Sequence, residues 1–176
     1  MRLFALSSPS YNSSTNMAHI HTEPGEIDRT VSVFIVYVPE KRVLLRLHDK
    51  HKIWLVPGGH IENYQTAIEA ARAEAEEEVG LNITLWGANQ LFEYDTEKYT
   101  ELIPPVALNI HFVSPTHRHE DHVYFATAET MQIREPDTEE RSGGCLWLTK
   151  EELLAHPEVE DRIKWYALKA LETLAP

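Results

Sequence analysis

The sequence contains a single cysteine, Cys145, and this shortage excludes an intrachain disulfide. Because thiols stay reduced in the cytosol and pair in secreted proteins, a chain with one cysteine fits a cytoplasmic location. Cys145 stands two residues before Trp147, and a free cysteine commonly behaves as a small apolar residue. We therefore expect Cys145 to be a small buried residue beside Trp147 and not a nucleophile.

Positive charge is also scarce, with 16 Lys and Arg residues against 28 Asp and Glu residues and a formal net charge of -12. Such a surface repels polyanions, which argues against nucleic acid and anionic membranes as partners. An anionic phosphate substrate would need a cation to bridge it to the protein. No apolar run reaches the ~20 residues that span a bilayer, and the longest, residues 31–38, has the length of a strand.

The chain has the size of one domain, because 176 residues are enough for a real core. Residues 1–16 are rich in Ser and Asn, and their short apolar run is too brief for a secretory signal. We assign residues 1–29 to an N-terminal tail and lead-in and residues 30–176 to a single domain. The composition also favours Met17 as the true start, a hypothesis that mass spectrometry of native protein beginning at Met1 would refute.

The clearest element is a helix predicted over residues 67–78. Thr66 followed three residues later by Glu69 fits a capping box, in which a hydroxyl and a carboxylate satisfy two backbone donors. The segment contains neither Gly nor Pro, and Gly80 can take the left-handed conformation that ends a helix. At about 100° per residue, one face carries apolar side chains that should be buried: Ile68, Ala71, Ala75 and Val79.

A second flank of this helix carries the carboxylates of Glu74, Glu77 and Glu78. Their i, i+3, i+4 spacing makes them neighbours, and like charges so placed repel one another. The simplest interpretation is a solvated acidic face. The alternative is a cation site, because Mg²⁺ takes clustered carboxylates as ligands and bridges them to phosphates. The Gly58-Gly59 pair before the helix favours this alternative, since backbone without side chains can approach a ligand closely.

The stretch at residues 59–81 resembles the Nudix box, whose pattern is Gly, five residues, Glu, seven residues, Arg-Glu-apolar-x-Glu-Glu-x-Gly-apolar. Two positions depart from it, since Gln65 replaces the first Glu and Ala73 replaces the Arg. The resemblance covers about residues 30–155. The second half of the pattern is in place, with Glu74, Ala75, Glu77, Glu78, Gly80 and Leu81.

The resemblance implies a metal-dependent hydrolase that cleaves a diphosphate linkage between a nucleoside diphosphate and another group. It implies that Glu74, Glu77, Glu78 and Gly59 hold Mg²⁺ or Mn²⁺, with the same glutamates as catalytic residues. Glu77 and Glu78 would be the principal ligands, and Glu74 a ligand or base. The metal would neutralise the diphosphate and lower the pKa of the water that attacks phosphorus.

The two departures from the Nudix box, Gln65 and Ala73, are expected to lower catalytic efficiency. In the family the Arg at position 73 orients a catalytic carboxylate; Ala73 cannot form that ion pair, and Arg72 points about 100° away around the helix. Gln65 keeps an oxygen ligand but loses a charge, so we expect weaker metal binding. A second hypothesis is therefore a Nudix-fold nucleotide-binding or regulatory module with weakened or lost catalysis. A third, an acidic interaction protein without a pocket, would make the box spacing a coincidence.

Strand patterns lie on both sides of the helix. Residues 30–38 and 42–47 predict a hairpin, and Thr149 with Glu152 predicts the capped start of a second helix. Residues 158–174 have the spacing of a terminal helix. This order indicates an α+β fold, and the resemblance implies an α/β/α sandwich with a mixed sheet between helices. Further strands are predicted at residues 83–86, 91–94, 106–113, 121–128 and 146–148.

Several side chains outside the helix are candidates for substrate contacts. The basic loop at residues 48–52 resembles the approach to the Nudix box, where cationic side chains meet phosphates, although such loops are usually only solvated. Trp54, Tyr124, Phe125 and Trp147 could stack on a base, but core packing is the simpler role for each. The candidate substrate contacts are His48, Lys52, Trp54, His60 and His119.

Histidines and carboxylates crowd the segment expected to be a loop between the last two long strands. Imidazole and carboxylate are proper zinc ligands, yet ligands usually come from fixed elements. A solvated loop or a rim that contacts substrate is the simpler interpretation. The residues concerned are His117, His119, Glu120, Asp121 and His122, and His111 lies upstream of them.

The resemblance also implies an additional acid from a loop late in the domain. Glu139 and Glu140 are the candidates, although exposed loop carboxylates are more commonly only solvated. The expected partners are a small nucleotide or other diphosphate substrate and a second copy of the chain in a homodimer. The leaving group and the general base are not specified by these patterns.

Overall fold

The computed structural model describes residues 25–48, 52–88, 90–134 and 144–176. A short 3-10 turn, Val38–Glu40, joins the first two strands. No helix within these ranges has both the length and the apolar character needed to cross a membrane. The elements are, in chain order, β1 (Ile27–Tyr37), β2 (Arg42–His48), β3 (Ile53–Leu55), α1 (Ala67–Val79), β4 (Ile83–Leu85), β5 (Asp95–Thr96), β6 (Tyr99–Thr100), β7 (Ala107–Ser114), β8 (His117–Ala128), β9 (Cys145–Leu148), α2 (Lys150–Ala155) and α3 (Asp161–Leu174).

β1 and β8 run parallel at the centre of a seven-stranded mixed sheet. On one side of this pair, β2 runs antiparallel to β1 and pairs with β3 and β9. On the other side, β4 and β7 pair antiparallel with successive parts of β8. β5 and β6 form a separate two-stranded hairpin. The predicted β1–β2 hairpin and the mixed sheet are therefore confirmed.

Helices cover both faces of the sheet because each face presents apolar side chains. On β1, Val33 and Ile35 pack with α1, and we call this side the α1 face. Phe34 and Val36 point the other way and pack with α2 and α3, which defines the α3 face. All four side chains are at most 1% exposed. The structure is thus an α/β/α sandwich, as predicted.

α1 begins and ends where the sequence predicts. The Thr66 N–H donates to Glu69 Oε2 at 2.8 Å, and the Thr66 hydroxyl accepts the Glu69 N–H at 3.3 Å. Gly80 ends the helix in the left-handed conformation with φ of 66°. The side chains predicted to face the core are all buried: Ile68, Ala71, Ala75 and Val79.

Some local predictions are wrong. Residues 91–94 are not a strand, because this segment has no sheet partner among the described residues and Leu91 is 92% exposed. The histidine-rich segment is not a loop, since β8 already begins at His117 and pairs there with β1 and β7. The last helix begins at Asp161 and not at 158.

Cys145 is only partly buried, whereas full burial was expected. It lies at the start of β9, opposite Arg46 on β2. The second predicted capping box is present, with the Thr149 N–H donating to Glu152 Oε2 at 2.8 Å. The other predicted strands are found with small shifts at their ends.

The capping box at Thr66 should contribute measurably to stability. Thr66→Ala removes the hydroxyl that accepts the Glu69 N–H, so the free energy of unfolding should fall by about 1 kcal/mol. Thr66→Ser keeps the acceptor and should stay close to the parent chain. Urea denaturation of the three proteins measures the difference, and equal stability of the Ala and Ser variants would contradict this role.

Candidate active site

The carboxylate flank of α1 faces the loop that follows β3. The Gly58 N–H donates to Glu78 Oε2 at 3.0 Å. Gly59 lies so close to Glu74 that a Cβ at position 59 would overlap the Glu74 carboxylate. Gly59 is therefore required by close packing against α1, and Gly58 by close packing against β1, where a Cβ would overlap the Val31 carbonyl.

This loop is held as an extended neighbour of β1. The Val33 N–H donates to the Pro57 carbonyl at 2.9 Å, and the Ile61 N–H donates to the Arg29 carbonyl at 2.8 Å. Between them, the Val31 N–H donates to the Gly59 carbonyl at 2.9 Å. A carbonyl oxygen has two lone pairs, so Gly59 keeps one for a further ligand. The sheet thus fixes the backbone that the Glu74 and Glu78 carboxylates contact.

The box carboxylates differ in burial. Glu74 is 8% exposed and packed against Gly59. The Glu78 side chain is 15% exposed and held by the Gly58 amide. Glu77 is exposed on the same flank. The structure therefore brings Glu74 and Glu78 together at the glycine loop and leaves Glu77 open to solvent beside them.

A buried arginine that the sequence pattern did not reveal completes this cluster. Arg46, on β2, is 7% exposed, and its Nη1 donates to Glu78 Oε1. Both partners are mostly buried, with side-chain exposures of 9% and 15%. A strand thus supplies the arginine that Ala73 does not supply from the helix. In the sequence, the signal for a buried ion pair was the charged Arg46 among the apolar residues of the predicted strand at 42–47.

The other departure from the box, Gln65, has a local structural role. Its Oε1 accepts the Glu62 N–H at 3.2 Å, and its own N–H donates to the Glu62 carbonyl at 2.9 Å. The side chain closes the turn before α1. The oxygen that was expected to remain available as a ligand is engaged in that turn.

Trp54 lies in the core, which favours the simpler interpretation over a substrate contact. It is 9% exposed, its Nε1 donates to Glu158 Oε2 at 3.3 Å, and its ring packs edge-on against His156. Tyr124 and Phe125 are buried as well, at 2% and 6% exposure. Burial favours core packing for these three side chains, whereas Trp147 is partly buried and its Nε1 donates to the Met131 carbonyl at 3.0 Å.

The basic loop is described only at its ends. His48 is partly buried at the end of β2, and Lys52 is exposed with its N–H donating to the His48 carbonyl at 2.8 Å. Glu139 and Glu140 lie outside the described residues. The described ends of their segment are Arg134, which donates to the Gly80 carbonyl at 3.2 Å, and Gly144, which accepts the Leu47 N–H at 2.9 Å.

His60 and His119 lie on the α3 face, across the sheet from the box carboxylates. Successive side chains of an extended chain point to opposite faces, so His60 points away from the helix that Gly59 contacts. His60 Nε2 lies 3.3 Å from Asp28 Oδ2, and its ring centre lies 5.1 Å from that of His119. The sequence grouped both histidines with the substrate contacts, but the sheet separates them from Glu74, Glu77 and Glu78.

Burial, the largest cause, and the neighbouring imidazoles of His60, His111 and His117 together lower the pKa of His119 to about 4, against an opposing effect of Asp28. A positive charge on this ring would be poorly solvated and would face other rings of the same kind. His119 is therefore neutral at pH 7, with one ring nitrogen able to accept or to bind a cation.

A cavity of about 630 Å³ opens on the α1 face beside the start of α1. None of the box carboxylates lines it. It nevertheless offers cationic and aromatic side chains on the same face as those carboxylates. Its lining includes Arg29, Gln65, Thr66, Tyr99, His122 and Tyr124.

Comparison with known proteins identifies the family. The family model described as NUDIX domain matches residues 27–169. A hydrolase of the NUDIX family from Clostridium perfringens is 36% identical with a TM-score of 0.72, over 84% of this chain and 97% of that one. No match was found among curated proteins.

More distant structures share the fold. The dihydroneopterin triphosphate pyrophosphohydrolase of E. coli is 18% identical with a TM-score of 0.56, over 84% of this chain and 94% of that one. The MutT protein of Methanosarcina mazei Go1 is 11% identical with a TM-score of 0.62, over 86% and 98%. The chain belongs to the Nudix family, and it is a Nudix-type hydrolase of pyrophosphate bonds in nucleoside diphosphate derivatives.

The ion pair between Arg46 and Glu78 should dominate the local stability of the site. Arg46→Met should lower the free energy of unfolding by about 3 kcal/mol, because a mostly buried carboxylate would lose its counter-charge. Adding Glu78→Gln should recover most of that loss, since no buried charge then remains. Urea denaturation measures both values.

Glu76→Gln is the matched control, since it changes an exposed glutamate of the same helix. It should change stability by less than about 0.5 kcal/mol. If the double variant were as unstable as Arg46→Met alone, lost packing and not the unpaired charge would explain the effect.

Proposed function

We propose that this chain hydrolyses a diphosphate linkage between a nucleoside diphosphate and another group, with Mg²⁺ or Mn²⁺ held at the carboxylate flank of α1. The observation that carries the proposal is the packing of Glu74 and Glu78 against Gly58 and Gly59, with Glu77 exposed beside them. This brings two of the box carboxylates into contact with the glycine loop and leaves the third accessible beside them.

The donor set fits a hard divalent cation. Glu74, Glu77, Glu78 and the Gly59 carbonyl offer only oxygen atoms, which are the ligands that Mg²⁺ prefers. The chain carries a net charge of -12, so a phosphate group needs a positive charge to approach these side chains. When bound, the cation supplies charge neutralisation of the diphosphate and a water of lowered pKa.

Each glutamate has a distinct role in this proposal. Glu78 is held by the Gly58 amide and by Arg46, so it is oriented before any ligand arrives. Glu77 is exposed and can meet substrate-bound metal without rearrangement of the core. Glu74 is packed at Gly59 and acts as a further ligand or as the base that accepts the proton of the attacking water.

The Arg46–Glu78 pair supports an active enzyme over a module that has lost catalysis. Loss of the box arginine at Ala73 suggested that a catalytic carboxylate would be poorly oriented. Arg46 makes an equivalent ion pair from β2. Gln65 contributes no negative charge, so metal binding is proposed to depend chiefly on the carboxylates of Glu74, Glu77 and Glu78.

The remaining substrate contacts are proposed around the open side of this flank. His48 and Lys52 would meet phosphate groups, because they end the basic loop that precedes β3. Glu139 or Glu140 would supply the additional acid, since the described ends of their segment lie beside Gly80 at the end of α1 and Leu47 on β2. The first assignment rests on the position of the basic loop, and the second rests on these neighbours.

The first test is hydrolysis of a substrate panel with Mg²⁺, Mn²⁺ or chelator. The panel contains nucleoside triphosphates, nucleotide sugars, ADP-ribose and dinucleoside polyphosphates. Metal-dependent product release from one class would establish the activity and the substrate class together. Thermal stabilisation by a nucleotide without turnover would instead support the binding module.

Glu77→Gln should then lower kcat/KM by roughly 100-fold or more, about 2.7 kcal/mol, because it removes a metal-binding charge without touching the core. Glu76→Gln, one residue earlier on the exposed side of α1, should leave kcat/KM nearly unchanged. Circular dichroism would show that both variants are folded. Near-normal turnover of Glu77→Gln would contradict the assignment.

We also propose that two copies of the chain associate through β7. Alternate residues of this strand, Leu108, Ile110 and Phe112, are 60%, 54% and 71% exposed. Within the described residues, β7 pairs only with β8, so its other edge is open. An apolar row on an open edge strand suits antiparallel pairing with its own copy about a two-fold axis.

Ile110→Glu should therefore shift the chain from dimer to monomer, because it places a charge in the middle of the apolar row. Light scattering after size-exclusion chromatography measures the mass. Leu91→Glu is the control, since Leu91 is 92% exposed in a segment outside β7 and should leave the mass unchanged. A parent chain that is monomeric at all concentrations would rule out this interface.

A further inference from the structure

We propose that Asp28, His60, His117 and His119 together bind one zinc-type transition-metal ion on the α3 face. This site is separate from the carboxylates of α1 and does not rest on the proposed hydrolysis. Its ligands are supplied by β1, by β8 and by the segment that follows Gly59.

The sheet brings these residues together. In the parallel ladder, Asp28 on β1 lies opposite His119 on β8. His117 lies two residues before His119 and so points to the same face. On the other edge of β1, His60 forms an isolated bridge with Thr30. All ligands are therefore fixed by backbone hydrogen bonds and not by a loop, which answers the main objection to zinc in this segment.

The distances suit a small ion. Asp28 Oδ2 lies 3.3 Å from His60 Nε2 and 3.2 Å from His117 Nε2. One ligand atom from each of Asp28, His117 and His119 lies within 4.8 Å of the others. A tetrahedral ion with bonds of about 2.0–2.1 Å separates its ligand atoms by about 3.4 Å. The separations of Asp28 Oδ2 from His60 Nε2 and from His117 Nε2 match that value, and the set whose ligand atoms are all mutually close contains Asp28, His117 and His119.

The chemistry selects a different metal from the one proposed at α1. Imidazole nitrogen with one carboxylate suits Zn²⁺, whereas Mg²⁺ takes an all-oxygen set. Asp28 is fully buried, and a buried carboxylate is costly unless a positive charge compensates it. A divalent ion held by the imidazoles would provide that charge.

With four protein ligands the site would be closed, which is typical of structural zinc. It would tie the start of β1 to the start of β8 and to His60. His60 directly follows Gly59, so the ion would also hold the loop that packs against Glu74. The simpler interpretation is a metal-free hydrogen-bonded network, in which a protonated histidine compensates Asp28.

The experiment measures zinc binding by the full chain. Protein stripped with chelator is titrated with Zn²⁺ against a chromophoric chelator, and Co²⁺ is added separately to record its visible spectrum. We expect one tight equivalent of Zn²⁺, the intense absorption of tetrahedral Co²⁺, and thermal stabilisation by Zn²⁺ but not by Mg²⁺. The joint variant His117→Asn, His119→Asn should weaken zinc binding by at least about 100-fold, more than the loss of an outer-shell partner.

His122→Asn is the matched control, because His122 lies on β8 three residues after His119 and lines the cavity on the α1 face. It should bind zinc like the parent chain. Glu77→Gln with Glu78→Gln should also keep the zinc affinity, which separates this site from the proposed hydrolytic metal. Zinc binding that survives in the double histidine variant, or is lost with the glutamates, would overturn the proposal.

X-ray absorption of the zinc-loaded parent chain gives a test that does not depend on any variant being folded. Multiple imidazole scattering with one carboxylate oxygen is expected. Absence of a bound equivalent, or a shell of oxygen ligands alone, would show that the cluster is a metal-free network.

Discussion

The parallel ladder between β1 and β8 is the constraint on which both candidate sites depend. Side chains alternate between the two faces along β1, so the odd-numbered residues face α1 and the even-numbered residues face α3. The extended segment after β3 forms hydrogen bonds along β1, so its side chains also alternate between the two faces. Gly59 consequently meets Glu74 on one face while His60 meets Asp28 on the other. Two neighbouring residues therefore serve sites on opposite sides of the sheet.

Buried charge is compensated differently on the two faces. On the α1 face, Glu78 is balanced by Arg46 and by a backbone amide, so one box carboxylate is already oriented. On the α3 face, Asp28 is approached by imidazoles, and the pKa of the nearby His119 is lowered to about 4, chiefly by burial. A divalent ion held by these side chains would compensate the fully buried Asp28 carboxylate.

The helix could be predicted from sequence almost to the residue, because its signals are local. Thr66, Glu69 and Gly80 act on backbone groups within one turn, and the apolar stripe follows from helical geometry. The strand predicted at residues 91–94 is wrong because strand formation also depends on non-local contacts. Their apolar pattern is compatible with a strand, but a strand also needs a partner, and pairing is decided by distant parts of the chain.

The sequence by itself determined the family, the helix and the glutamates offered on its flank, since all of these follow from order and spacing along the chain. Only the tertiary structure decided that Arg46 pairs with Glu78, that Trp54 is core, and that Asp28 meets His60 and His117. The physical reason is that these contacts join segments far apart in sequence. Their partners become neighbours only when the sheet sets the register and the facing of each side chain.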